Sequence, residues 1–159
     1  MTIGTVLSRW WGEEEIIAWT PTYGGKLLRR HAGTKGHLQA HVKQESHYLL
    51  SGALLVRVQG QPDTVMHAGS HWHVPPLTVH QEEAIRDCIE IELADPTLED
   101  RYVVESAAEA KPGELPSMSD SQAQGHLLRL ARALRARALE CEALSEQIRT
   151  QGLAALVRG

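Results

Sequence analysis

Polar and apolar positions alternate in short runs through the first two-thirds of the chain. The runs with strand character are Glu15–Trp19, Lys26–His31, His37–Val42, His47–Leu50, Ala53–Gln59, Thr64–His67, His71–Val74, Thr78–Glu82 and Cys88–Ala94. Glycine- and proline-bearing breaks separate them: Gly24-Gly25, Gly33 to Gly36, Gly52, Gly60 to Asp63, Gly69 and Pro75-Pro76. Short strands at regular spacing, with no long helix between them, predict an antiparallel sandwich or barrel over residues 1–105. Asp95 as N-cap and Pro96 at the first helical position predict a short helical turn within 95–105. Residues 106–121 read as a linker around Lys111-Pro112-Gly113 and Leu115-Pro116. The pattern then changes period. Leu127, Ala131, Leu134, Ala138, Cys141, Ser145 and Ile148 recur at steps of three and four, which predicts an amphipathic C-terminal helix within 122–159, broken near Gly152. Residues 119–159 carry six arginines against four acidic residues, so this helix is basic while the rest of the chain is acidic. It docks either on its own barrel or on a neighbouring copy, where Arg137 interrupts a strict heptad seam.

Composition narrows the function. A chain of 159 residues suits one domain plus an appendage. The net charge of −4 argues against a nucleic-acid binder relying on bulk positive charge. No apolar run reaches the roughly 18 residues of a membrane span. The N-terminus lacks the basic and apolar regions of a signal peptide, and Cys88 and Cys141 stand far apart without a CxxC partner, so the expected setting is cytoplasmic with reduced thiols. Nine histidines are the unusual feature.

Two blocks concentrate the chemistry. In the first, Gln39 and His41 lie two apart on one strand face, Glu45 follows past a turn, and Gly52 closes the hairpin. The second runs Gly69-Ser70-His71-Trp72-His73-Val74-Pro75-Pro76-Leu77-Thr78-Val79-His80. Gly36, Gln39, His41, Glu45 and Gly52 resemble the first signature motif of the cupin superfamily, and Gly69, Pro75, Leu77 and His80 resemble the second. Three positions depart from the pattern: Gln39 replaces a histidine, Leu77 a glycine and Ala84 an asparagine. Further stretches, Trp11-Gly12-Glu13-Glu14, Tyr23-x-Gly25-Lys26-x-Leu28, Gln39-x-His41-x-Lys43-x-Glu45 and Ile91 to Leu98, are similar to small single-domain cupins akin to the cupin part of mannose-6-phosphate isomerases.

The resemblance implies an all-β fold, a single cupin antiparallel β-barrel or jelly roll, followed by the C-terminal α-helix. It also implies a homodimer. Zinc-dependent phosphomannose isomerases use a Gln-x-His pair with a glutamate and a distant histidine, so the implied metal ligands are Gln39, His41, Glu45 and His80. Mixed nitrogen and oxygen donors suit Zn, Mn, Fe, Ni or Co. Inward polar groups in a small barrel are costly unless something satisfies them together; the choice is a metal ion or a metal-free hydrogen-bonded interior. Lys26 alternates with Leu28 and is a substrate-binding candidate at the mouth, or an edge lysine. Lys43 shares the parity of His41 and lies at the rim or in the turn. His47 is a partner of the site, a proton carrier or a core histidine. Glu92 shares a strand face with Cys88 and Glu90; if that face is inward, Glu92 is the general base, with a raised pKa. His71 and His73 are expected in the wall or rim, and His31, His37, His67 and His126 at the surface. The activities to weigh are an aldose–ketose isomerase of sugars or sugar phosphates, a metal-dependent dioxygenase with a more apolar pocket, and a non-catalytic small-molecule-binding or regulatory cupin.

Overall fold

The computed structural model describes residues 1–97, 100–111, 117–153 and 157. Eleven strands precede one helix among them: β1 (Val6–Arg9), β2 (Gly12–Trp19), β3 (Gly24–Arg30), β4 (Leu38–His41), β5 (Glu45–Ser51), β6 (Ala53–Val58), β7 (Thr64–His67), β8 (His71–Val74), β9 (His80–Ala84), β10 (Cys88–Ala94), β11 (Arg101–Glu105) and α1 (Asp120–Gln151). They form two antiparallel sheets, a six-stranded one in the order β1-β2-β3-β10-β5-β8 and a five-stranded one in the order β11-β4-β9-β6-β7. Leu49, Trp72, Val74 and Cys88 of the first sheet meet Leu54, Val56, Val58 and Ala84 of the second in one apolar cluster. The sheets therefore close face to face, as the alternation predicts.

The interior changes character along its length. On β5 the inward residues run Glu45, His47, Leu49; on β9, His80, Glu82, Ala84; on antiparallel β10, Glu92, Glu90, Cys88. Each of these three strands passes from charged to apolar along its length, β10 one step later than β5, because Glu90 pairs with Leu49. One end of the barrel is thus an apolar plug and the other a charged chamber. Ile89, Ile91 and Leu93 of β10 face outward, and Leu93 is exposed, as are Ile17, Tyr48 and Leu50 on other strands of that sheet.

Several boundaries differ from the expectation. Of the helical turn expected within 95–105, residues 95–97 are not helical, 98–99 lie outside the described residues, and 101–105 form β11, which pairs with β4. Asp95 serves as an acceptor for the Gln44 backbone N–H rather than as a helix cap. β1 has too little periodicity to stand out in sequence; it forms because it pairs along β2. Within the expected linker, residues 112–116 lie outside the described residues. α1 starts at Asp120, where Ser119 and Gln122 make a reciprocal capping box, and ends at Gly152 with φ 80°. None of its residues is buried, and Leu127, Leu134 and Ile148 are exposed, so docking on the barrel does not cover the apolar stripe. No described helix is long and apolar enough to cross a membrane.

Leu77, at the glycine place of the second motif, has φ 61° and is exposed. Its N–H donates to the His41 carbonyl at 2.6 Å, which pins the turn beside β4. A left-handed conformation costs a side-chain-bearing residue about 1–2 kcal/mol, and glycine's extra unfolded entropy returns part of that. Leu77→Gly is therefore expected to stabilise the fold by about 0.5–1 kcal/mol. Urea unfolding checks this, and a lower midpoint would contradict it.

Candidate metal centre

The charged chamber is built by strand parity. Lys26, Leu28 and Arg30 on β3, Gln39 and His41 on β4, Glu45 and His47 on β5, His80 and Glu82 on β9, and Glu92 on β10 all line one cavity of about 50 Å³. Lys43, expected at the rim or in the turn, lies in the turn between β4 and β5 with its side chain buried and lining the cavity. Trp11 and Leu28 are the only large apolar side chains in the lining among the described residues. Six carboxylates (Glu14, Glu45, Glu82, Glu90, Glu92 and Asp100) and four fixed cations (Lys26, Arg30, Lys43 and Arg101) are buried in the protein. Arg9 caps Glu14 from the rim. Buried carboxylates thus outnumber the buried lysines and arginines by two, and the chamber histidines and Arg9 share the difference.

His41, Glu45 and His80 place one donor atom each within 4.8 Å of one another. The outer nitrogens of both rings are already engaged. His80 Nδ1 lies 3.0 Å from the Thr78 carbonyl oxygen, which can only accept, so Nδ1 carries the proton. His41 Nδ1 lies 3.2 Å from Asp100 Oδ1. Asp100 is well below the usual carboxylate range: burial opposes ionisation, but His41 and Lys43 outweigh it. It is therefore ionised and takes the Nδ1 proton. Nε2 is then the atom of each ring left to ligate, the arrangement that metal-binding histidines show. His80 Nε2 is 3.0 Å from Glu45 Oε1 and donates to that carboxylate, with a proton that a bound ion would displace. Burial holds His41 below its ordinary value, so its ring stays neutral and able to ligate. Burial also works against charge on His80, but its bond to Glu45 and that carboxylate's charge raise its pKa. Burial opposes charge on Glu45 as well, yet Lys43 and His41 hold it well below its usual range. A carboxylate with two tautomer-fixed imidazoles fits a divalent ion. Gln39 is half-buried, lines the cavity and is the strand partner of His80, so its carboxamide borders this donor set.

Glu92 faces inward, but its environment reverses the expected pKa. Lys26 Nζ donates to its Oε1 at 3.0 Å and Lys43 Nζ at 2.7 Å. Burial would raise its pKa; the two lysines overcome that and hold it far below the ordinary range. Glu92 is thus a fixed anion that anchors both lysines, not a base of raised pKa. Lys43 also reaches Glu45 Oε2 at 3.0 Å, and Lys26 reaches Glu14 Oε2 at 3.5 Å. The carboxyl with a raised pKa is Glu82, pushed up by burial and by the neighbouring Glu90 despite Arg30. It escaped the sequence reading although it lies two residues from His80, and parity alone puts it on the same face. Arg30, two steps from Lys26 by the same rule, bonds both Glu82 and Glu90.

His47 is buried, 3.4 Å from Glu45 and stacked on Trp72. His71 and His73 are exposed, and His73 bonds Ser46 on the outer face. His37 departs from its expected surface position. It is buried in the cavity wall, its Nδ1 accepts the Ala107 N–H, and its ring lies against Trp10.

Known structures of similar fold include KdgF from Halomonas sp., at 24% identity over 54% of this chain and 81% of that one, with a TM-score of 0.50. An RmlC-like cupin from Shewanella frigidimarina matches at 23% identity over 55% and 78%, with a TM-score of 0.52. The DMSP lyase DddQ from Ruegeria pomeroyi matches at 18% identity over 54% and 44%, with a TM-score of 0.50. The chain has the cupin fold. No family model and no curated protein matches it. The aligned share is little more than half the chain, so the charged chamber must be read from its own residues.

Glu14 and Glu92 set an acid limit for the fold. Burial opposes the charge on each, but Lys26 outweighs it at both, with Arg9 assisting at Glu14 and Lys43 at Glu92. Depressed carboxyls contribute stability that is present above the unfolded value of about 4.3 and is lost as pH falls through the folded one. The urea midpoint is expected to fall below about pH 4, with a shallower acid limb in Glu92→Gln. Equal acid limbs in parent and variant would contradict the pairing.

Proposed function

We propose that this cupin is a metal-dependent enzyme of the aldose–ketose isomerase type, acting on a sugar or sugar phosphate. The supporting observation is the pair of tautomer-fixed histidines clustered with Glu45 inside a chamber lined mainly by polar and charged groups. His41, Glu45 and His80 are the proposed ligands, with the carboxamide of Gln39, the strand partner of His80, as the fourth. A divalent ion bound there supplies a Lewis acid for adjacent carbonyl and hydroxyl oxygens.

The chain's own residues supply the rest. Asp100 and Thr78 orient the two imidazoles. Lys26 and Lys43, positioned by Glu92, offer donors to hydroxyl or anionic substrate groups. His47 and Glu82 are the proposed proton carriers between neighbouring carbons, Glu82 because burial raises its pKa toward neutrality. The small cavity admits the reacting end of a substrate with a few waters. The polar lining disfavours the dioxygenase reading, which calls for an apolar pocket. The resemblance to mannose-6-phosphate isomerase cupins at Trp11-Gly12, Gly25-Lys26 and Gln39-x-His41 supports the same reading. A homodimer is proposed with it, through the exposed Ile17, Tyr48, Leu50 and Leu93 face of the six-stranded sheet.

The metal-loaded protein, incubated in deuterated water with a panel of aldoses and their phosphates, is expected to place deuterium on the carbon next to the carbonyl. Oxygen uptake with no deuterium incorporation would overturn the isomerase reading in favour of a dioxygenase.

A further inference from the structure

His47, Glu82 and Glu90 form a second donor cluster, fully buried, beside the first. His47 Nδ1 lies 3.7 Å from Glu82 Oε1 and 3.6 Å from Glu90 Oε2. All three atoms are buried without a hydrogen-bond partner. The separations are too long for hydrogen bonds, which end near about 3.2 Å for nitrogen and oxygen. They match the spacing of donors around a tetrahedral ion, about 3.4–3.5 Å for bonds of about 2.1 Å.

Each donor is held from behind. Arg30 bonds the other oxygen of both carboxylates, Glu82 Oε2 and Glu90 Oε1. The His47 ring is stacked on Trp72, 4.7 Å between centroids and 2° from parallel. Its Nε2 faces Glu45, which leaves Nδ1 as the nitrogen turned to the two glutamates. Trp11 packs over the Arg30 guanidinium at 4.4 Å and fixes that anchor in turn. His47 and Glu82 line the cavity, so the cluster opens onto the same chamber.

We propose that His47 Nδ1, Glu82 Oε1 and Glu90 Oε2 form a second divalent-cation site, adjoining the His41–Glu45–His80 cluster through the His47 ring. The two carboxylates bring the negative charge, and the imidazole brings a nitrogen donor once the ion displaces the proton that those carboxylates otherwise hold on it. A transition ion such as zinc fits this set better than calcium or magnesium, which prefer oxygen ligands throughout. His47, with Nε2 on Glu45 and Nδ1 on the second ion, would connect the two centres directly. Under this proposal the proton-carrying role suggested above for His47 and Glu82 belongs to the singly loaded protein.

The test is diffraction at the zinc absorption edge from crystals of the full chain, stripped with chelator and reloaded with zinc. The expected result is an anomalous peak bounded by His47, Glu82 and Glu90, in addition to one at His41, Glu45 and His80. A peak at His41, Glu45 and His80 alone overturns the second site and leaves the proposed function standing. A peak at the His47 cluster alone does the reverse, and no peak at either overturns both. In solution, Glu90→Gln that melts cooperatively should bind one zinc ion per chain fewer than the parent by equilibrium dialysis. An unchanged count would also overturn the second site.

Discussion

His80→Ala is expected to weaken zinc binding at the His41–Glu45–His80 cluster by more than about 100-fold. Loss of an outer hydrogen-bond partner alone costs 10–100-fold at such sites, and here a donor itself is removed. His41→Ala should do the same. His80 presents Nε2 to Glu45, and both rings have Nδ1 committed, to Thr78 and Asp100, which leaves Nε2 of each as the ligating atom. His71→Ala is the control, because His71 is exposed on the outer face of β8 and should leave affinity unchanged. Isothermal titration of chelator-stripped protein reads all three. Equal losses for His71 and His80 would mean the ligand set is misassigned.

Lys43→Met is expected to cost about 3–5 kcal/mol of folding stability, the usual penalty for removing one partner of a buried ion pair. Lys43 bridges Glu45 at 3.0 Å and Glu92 at 2.7 Å. Burial disfavours its charge, and Glu92 and Glu45 more than restore it, raising its pKa well above the ordinary value. Methionine keeps most of the volume but leaves two neighbouring carboxylates facing one another. The loss should be smaller at pH 4 than at pH 7, because in the variant the carboxyls can protonate. Chemical unfolding at both pH values checks this, and a cost under about 1 kcal/mol would show that solvent reaches the chamber.

The barrel was legible in sequence because turn residues punctuate nearly every strand and because Gly52 and Gly69 fall where left-handed turns are needed, at φ 89° and 91°. The ligand candidates were legible because His41, Glu45 and His80 sit at motif spacing. The polarity of β10 was not. Ile89, Ile91 and Leu93 look like a core face, yet Glu90 and Glu92 take the interior because Arg30, Lys26 and Lys43 await them there. Those partners come from β3 and the turn after β4, far away in the chain. No local periodicity reports such pairing, so the sign of Glu92's pKa shift could not be read without its neighbours. Glu82 and Arg30 were recoverable by extending parity one step beyond His80 and Lys26. His37 was not, because its burial depends on Trp10 and on the Ala107 N–H from segments without pattern.

The central claim is that the charged chamber holds a divalent ion through His41, Glu45 and His80. The most direct measurement is the metal content of the full chain after dialysis against zinc, manganese or iron(II) and removal of free ion. At least one tightly held ion per chain is expected, lost in His41→Ala and His80→Ala at the first centre. A folded protein that retains no stoichiometric ion from any of the three would contradict the account.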